Sequence, residues 1–319
     1  KRQTNFLHSL TRGIATGVEV PELMLAVLTP TLSGGDDPAV VGRSLERLHD
    51  TAWFLEYDGF RYRFKTEPSL NKIVADEMDM VGPCYLTGPI RFYGLNALDT
   101  ATVRCGLHSS LSKSGEDLLD GTLDIWSRLG IPDNLQVDNA MSFLGSPRYP
   151  RALSQFVRLC LQHDVEPWFV PMAEPWRNGN IEQFNDHYQQ KFLSKVIMTS
   201  TDELAAGTMA FEQRHNNSYR YSKLGGKTPI KALSESKAAL RFPNPDDKPL
   251  RRLEKPETGR YHLVRLIRSD LKLNILGELF PVPPELKLEY VVATIDVKEQ
   301  KLKLSLGKTQ IEQFDYKIR

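Results

Sequence analysis

Two segments decide how this chain folds: QVDNAMSFLGS at 136–146 and EPWFVPMAEPWRNGNIEQFNDHYQQ at 166–190. The first ends a short apolar run on an acid, Asp138. The second crosses a Pro- and Gly-broken loop and places Glu182 just inside a new helix. Two carboxylates distant in sequence are thereby delivered to one point on a rigid frame, which is what holding divalent cations requires. Ile181, Phe184, Tyr188, Phe192 and Val196 recur at helical spacing and form the core stripe of that helix. Glu182 lies off the stripe with Asn185 and Gln189, so a polar face turns toward the strand ends.

The segments before this pair extend the pattern. IRFYGLNALD and ATVRCGLHSS, reached from MDMVGP, read as strands with a turn at Asp99-Thr100. After Ser114-Gly115, Leu118, Leu119, Leu123, Trp126 and Leu129 make one apolar helical stripe closed by Gly130 and Pro132. NLQV is a short strand ending at Asp138, a second helix carries Leu153, Phe156, Val157 and Cys160, and EPWFVP is a further strand. Three strands, then helix, strand, helix, strand and helix predict an α/β layer whose mixed sheet begins as a meander and continues through helical connections. A helix is expected over 199–221, and the Pro- and charge-rich stretch 241–259 reads as a linker. Six short alternating runs from RYHLVRLIR to IEQFDYKIR predict a small antiparallel β-barrel over 260–319. At the other end, WFLEYDGFRYRF is a hairpin turned at Asp58-Gly59, behind a helix from Ala39 to Ala52, which is a winged-helix outline.

The chain has 319 residues, 40% hydrophobic and 25% charged, as in globular proteins of about two domains. No apolar run approaches the ~18 residues of a membrane span. Residue 1 is a lysine and no signal-like start follows, so an intracellular chain that is a fragment or processed product is expected. Cys84, Cys105 and Cys160 are widely spaced, which predicts buried thiols and excludes a Cys-x-x-Cys metal site. The net charge of +1 splits into −2 over 1–78, −3 over 79–180, +2 over 181–240 and +4 over 241–319. An acidic centre suits cations and a basic end suits a polyanion.

Phosphodiester displacement at paired cations needs a third acid. Asp79 is the choice, because it opens the first strand of the sheet, beside the strand that ends at Asp138. Its rivals are Asp76, Asp99, Asp133 and Asp164. Asp99 sits in a turn and Asp133 follows a proline, where Asp serves local backbone bonding. Glu174, the rival to Glu182, lies between Pro171 and Pro175 on a loop too irregular to hold a ligand.

MDMVGPCYLTGPIRFYGLNALD (78–99), VDNAMSF (137–143), EPWRNGNIEQFN (174–185) and YSKLGGKTP (221–229) together resemble bacterial insertion-sequence transposases of the retroviral-integrase superfamily. The resemblance runs from about residue 78 to the C-terminus. It implies a ribonuclease-H-like fold, a catalytic triad of Asp79, Asp138 and Glu182, and Mg²⁺ or Mn²⁺ as cofactor. Water attack would free a 3′-OH at an element end, and that hydroxyl would then attack target DNA. The acids are 59 and 44 residues apart, the second interval longer than in retroviral integrases. Such relatives commonly carry Trp three residues before the first acid, where this chain has Asp76. RYRFKTEPSLNKIVADE (61–77) instead resembles the winged-helix tail of large ATPases from bacterial defence regions, so residues 1–77 are expected to be a fusion.

The resulting division is 1–77 winged-helix-like, 78–240 catalytic core, 241–259 linker and 260–319 barrel. Asn139, Trp176, Arg177, Asn185, Arg265 and Lys272 are candidates for contact with DNA, the first and fourth equally as residues supporting the acids. Homo-oligomers on DNA are expected. The rival functions are a metal-dependent nuclease of the same fold and a catalytically silent DNA-binding or interaction protein created by fusion.

Overall fold

The computed structural model describes residues 76–86, 90–172, 178–236, 238–244 and 252–319, with the backbone of 55–57 and 62–64. The chain divides into two units, 1–72 and 73–319. In the first, β1 (Leu55–Tyr57) and β2 (Tyr62–Phe64) pair antiparallel with Tyr57 opposite Tyr62, as the aromatic hairpin signal predicts. The helix and turn of the winged-helix reading lie outside the described residues.

The second unit is built on one mixed sheet. β3 (Asp76–Tyr85), β4 (Arg91–Leu98) and β5 (Cys105–Ser110) form the expected antiparallel meander. After helix α1 (Gly115–Leu129) the chain returns as β6 (Asn134–Val137), parallel to β3 with Asp76 opposite Leu135. The short α2 (Met141–Leu144) and α3 (Gln155–Gln162) then lead to β7 (Glu166–Phe169), parallel to β6. β3 begins at Asp76, so Asp79 stands three residues inside the strand instead of opening it.

Helix α1 starts where Ser114 accepts from the Asp117 backbone N–H, with Glu116 and Asp117 beside the helix dipole's positive end, and stops at Gly130. Its apolar face lies unusually close to the sheet. A Cβ on Gly106 of β5 would fall 2.7 Å from Ile125 Cγ2, so only glycine lets the helix seat there.

Alternation along the strands separates two faces. Met78, Leu95, Ala97, Leu135, Val137 and Phe169 face α1 and α3 in the larger core. Phe92, Leu98, Cys105 and Leu107 face α4 (Gly179–Tyr188) and α5 (Thr201–Ser218). The predicted stripe of α4 is buried at Ile181, Phe184, Tyr188 and Phe192, whereas Val196 is exposed. A π-helical turn at Gln189–Leu193 closes the helix, so Val196 lies beyond its end. Helix α5 covers edge strand β5 with side chains that act as a strand would. Glu212 accepts from the Leu107 N–H at 2.7 Å, and Asn216 exchanges two 2.9 Å bonds with the Cys105 backbone. Cys105 and Cys160 are buried, as expected, while Cys84 is half-buried.

The six C-terminal runs are strands, but they do not close into the expected barrel among the described residues. β8 (Arg260–Leu266) pairs parallel with β7, through Trp168 opposite His262 and Phe169 opposite Leu263. β11 (Tyr290–Asp296), β12 (Lys301–Leu306) and β13 (Thr309–Asp315) follow antiparallel, giving the order β13-β12-β11-β8-β7-β6-β3-β4-β5. β9 (Lys272–Ile275) and β10 (Glu278–Pro281) form a separate hairpin. Extending an exposed edge of the parallel strands satisfies β8 as well as barrel closure would, and the alternating pattern alone does not distinguish the two. Tyr316 is fully buried and donates to the Pro150 carbonyl at 2.6 Å, while Arg151 pairs with Glu278. The C-terminal strands therefore share the larger core with α1, α3 and β6.

Candidate metal centre

Asp79 lies on the α4 face of β3, half-buried. Its Oδ1 accepts from the Met80 N–H at 2.8 Å and its Oδ2 from Asn185 Nδ2 at 2.9 Å. Asn185 is itself held, its Oδ1 accepting from Asn96 Nδ2 at 2.8 Å. The relay runs Asn96 on β4, Asn185 on α4, Asp79 on β3, and it fixes one carboxylate oxygen. Asp138 follows β6 directly and accepts from the Ala140 N–H at 3.0 Å, a local turn that starts α2. Glu182 sits half-buried in the first turn of α4.

Burial raises the pKa of Asp79, and the charge of Asp138 raises it further, against the hydrogen bonds from Met80 and Asn185. Burial also raises Glu182, followed by the charges of Asp79 and Asp186. Asp79 is thus in electrostatic reach of both other acids. Among the described residues none of the three forms an ion pair, and no group of three or more His, Cys, Asp or Glu stands together as a ready metal cage. The donor set is hard carboxylate oxygen, which fits Mg²⁺ or Mn²⁺, and its mutual repulsion is what a cation would relieve.

Two of the rival acids are occupied. Asp99 accepts from the Ala101 and Thr102 N–H groups at 2.9 and 3.2 Å and faces Arg104. Asp133 pairs with Arg241 at 3.1 Å, and Asp164 holds a left-handed backbone with φ 56° after α3. Asp76 is raised well above its ordinary value by burial and then by Asp99, and so belongs with the turn instead of the α4 face. Glu174, Trp176 and Arg177 lie outside the described residues.

Of the DNA-contact candidates, Lys272 is exposed on β9. Arg265 is not available to DNA: it is 6% exposed, and its Nη2 donates to Asn139 Oδ1 at 3.0 Å. On β8 it shares the parity of Tyr261 and Leu263, and the opposite parity is buried too at His262 and Val264, so neither face of the strand is open there. Asn139 donates its Nδ2 to the Val170 carbonyl at 2.5 Å, so both ends of its amide are used within the protein. Asn185 likewise serves Asp79.

Glu77 carries no motif of its own in the sequence. It is 5% exposed, two residues before Asp79 on the same strand face. Its Oε1 accepts from Asn180 Nδ2 at 2.6 Å and its Oε2 from the Ile181 N–H at 2.8 Å. The nominal N-cap of α4, Asn178, makes no capping bond and instead accepts from Gln136 at 2.8 Å. Glu77 thus takes over the cap from a neighbouring strand and fixes the turn that carries Glu182. Its signal was the i, i+2 spacing to Asp79 in an otherwise apolar strand face.

Residues 163–229 match the family model described as integrase core domain. That segment includes β7, Glu182, α4 and α5. Among solved structures, the magnesium-bound HTLV-2 integrase catalytic core in its trimeric form is 16% identical, with 50% of this chain and 94% of that one covered and a TM-score of 0.39. Its dimeric form gives 17%, 50%, 94% and 0.35, and the BIV integrase catalytic core 15%, 51%, 95% and 0.37. No curated protein sequence matches the chain. The family segment spans about a fifth of the chain, and the strand order β5-β4-β3-β6-β7 with helices on both faces is the mixed α/β layer that the sequence predicts. No helix among the described residues is long and apolar enough to cross a membrane.

Proposed function

We propose that this chain is a DNA transposase or integrase that cleaves DNA strands and transfers them to a target, with Asp79, Asp138 and Glu182 holding Mg²⁺ or Mn²⁺. One observation carries the reading: an acid on β3, one beyond β6 and one on α4 lie on one face of an integrase-type sheet, none of them in an ion pair among the described residues, although the charge of Lys113 reaches Asp79. The bound cation would supply a nucleophilic oxygen at neutral pH and offset charge on the leaving oxygen. The chain's own part is to orient the ligands. Asn185 presents Asp79, Glu77 anchors the helix of Glu182, and the Ala140 N–H donates to Oδ1 of Asp138. DNA and further copies of this chain are the partners implied.

The silent-fusion alternative draws on the lack of a closed three-acid cage among the described residues. Mn²⁺-dependent nicking of a labelled duplex and its joining to a plasmid, by the chain and by Glu182→Gln, decides between them. Joining lost in the variant supports the transferase. Nicking without joining, also lost in the variant, supports a nuclease, and equal or absent activity in both supports the silent protein.

A further inference from the structure

Arg265 is a buried guanidinium with no acid beside it. Nη2 donates to Asn139 Oδ1 at 3.0 Å, Nη1 to the Val264 and Val170 carbonyls at 2.8 and 3.4 Å, and Nε is buried without a partner. No carboxylate pairs with it among the described residues, and burial pulls its pKa down to about 10. A buried charge met only by neutral oxygens costs stability, and an apolar side chain of similar volume would fill the same space without that cost. What the guanidinium adds is directional: it joins β8, the residue after β7 and the residue after Asp138. Asn139 completes the triangle by donating to the same Val170 carbonyl. Among the described residues, the Asp138 side chain is otherwise fixed by one 3.0 Å bond inside its own turn.

We propose that Arg265 is a positioning residue for the metal centre: through Asn139, strand β8 locks the turn after β6 and sets where the Asp138 carboxylate stands. The assignment rests on the reading of Asp138 as a metal ligand. It makes the C-terminal sheet extension part of the catalytic apparatus and not only an appended DNA-binding surface. Removing an outer partner of a metal ligand typically weakens metal binding about 10–100-fold.

The test uses the full chain, Arg265→Gln, Asn139→Ala and the double variant. Asn139→Ala breaks the link from its half-exposed side and serves if Arg265→Gln does not fold. Amide hydrogen exchange of the metal-free proteins reads the turn, at the Phe143, Leu144 and Gly145 N–H groups that close α2. Calorimetric titration with Mn²⁺ alone reads the centre. The expected result is faster exchange confined to 138–145 and Mn²⁺ affinity about tenfold weaker or more in each single variant. The double variant should be no worse than the singles, since they break one link. Unchanged exchange overturns the brace, whatever the metal does. Faster exchange with unchanged Mn²⁺ affinity, or additive losses, overturns its role at the centre. A wild-type chain that takes up no Mn²⁺ sinks the metal reading itself, and the exchange data then separate that failure from failure of the brace.

Discussion

Two sets of carboxylates in the same sheet are treated in opposite ways. At the junction of β7 and β8, Glu166 accepts from His262 Nε2 at 2.8 Å and faces Arg260 at 2.7 Å, and the His262 hydrogen bond is first among the causes that lower its pKa. His262 in turn stacks on Trp168 at 3.9 Å and meets Thr294 at 2.9 Å. Every polar group there has its partner within the fold. On the α4 face burial raises both Asp79 and Glu182, with the charge of Asp138 adding to the first and that of Asp79 to the second. A fold that only needed stability would have paired or neutralised them. On the proposed function, acids gathered in this way are where a divalent cation is to arrive.

The largest effect expected on this contrast is chemical. Asp79→Asn or Glu182→Gln should cut DNA joining by on the order of 10³-fold, because a metal ligand accounts for several kcal/mol of transition-state stabilisation. Glu166→Gln should leave the joining rate of the folded protein unchanged. A strand-transfer assay at saturating Mn²⁺ compares them, and equal losses would erase the distinction between the two sets.

Next in size is the loss of the cap borrowed from β3. Glu77→Ala leaves the Ile181 N–H and the Asn180 amide without their acceptor in a buried site, costing about 2–3 kcal/mol and lowering the thermal midpoint by ~5–10 °C. A calorimetric scan measures it. If the midpoint does not move, Glu77 is not what anchors α4.

Smaller still is a pH effect of opposite sign in the two regions. Glu166 has a folded pKa below its ordinary 4.5, so its contribution is present above 4.5 and is lost as pH falls through the folded value. Midpoints scanned from pH 7 to 3 should therefore fall less steeply in Glu166→Gln. Glu182 has a folded pKa above 4.5, so its charge opposes folding at neutral pH and protonation relieves it. Glu182→Gln should then raise the midpoint of the metal-free protein at pH 7 by ~1–2 °C, the figure kept small because the group is partly solvated. A variant that loses function and gains stability is the signature of a strained site, and a lowered midpoint would contradict the assigned sign.

Most of the layered core was legible because its signals are local. Alternation set the strands, the apolar stripes set α1, α3 and α4, and the turn chemistry of Asp99 and Asp133 removed two rival acids. What stayed hidden depends on distant pairing. RYHLVRLIR states that β8 is a strand but not that β7 is its neighbour, so a barrel was expected where the sheet continues. The same gap misplaced Arg265, which looks like one more surface base as long as the burial of both faces of β8 is unknown. The sequence leaves Asn185 between supporting the acids and touching DNA, because nothing local announces Asn96, whose bond settles it toward Asp79. Glu77 drew no attention because the helix it caps begins about a hundred residues later.

The most direct test of the contrast is Mn²⁺ binding by the DNA-free chain, measured by calorimetric titration beside Asp79→Asn, Asp138→Asn, Glu182→Gln and Glu166→Gln, each first shown to be folded. The account predicts that the wild-type chain and Glu166→Gln bind alike while each of the other three loses most of the affinity. Binding that survives in the three, or falls as far in Glu166→Gln, would contradict it.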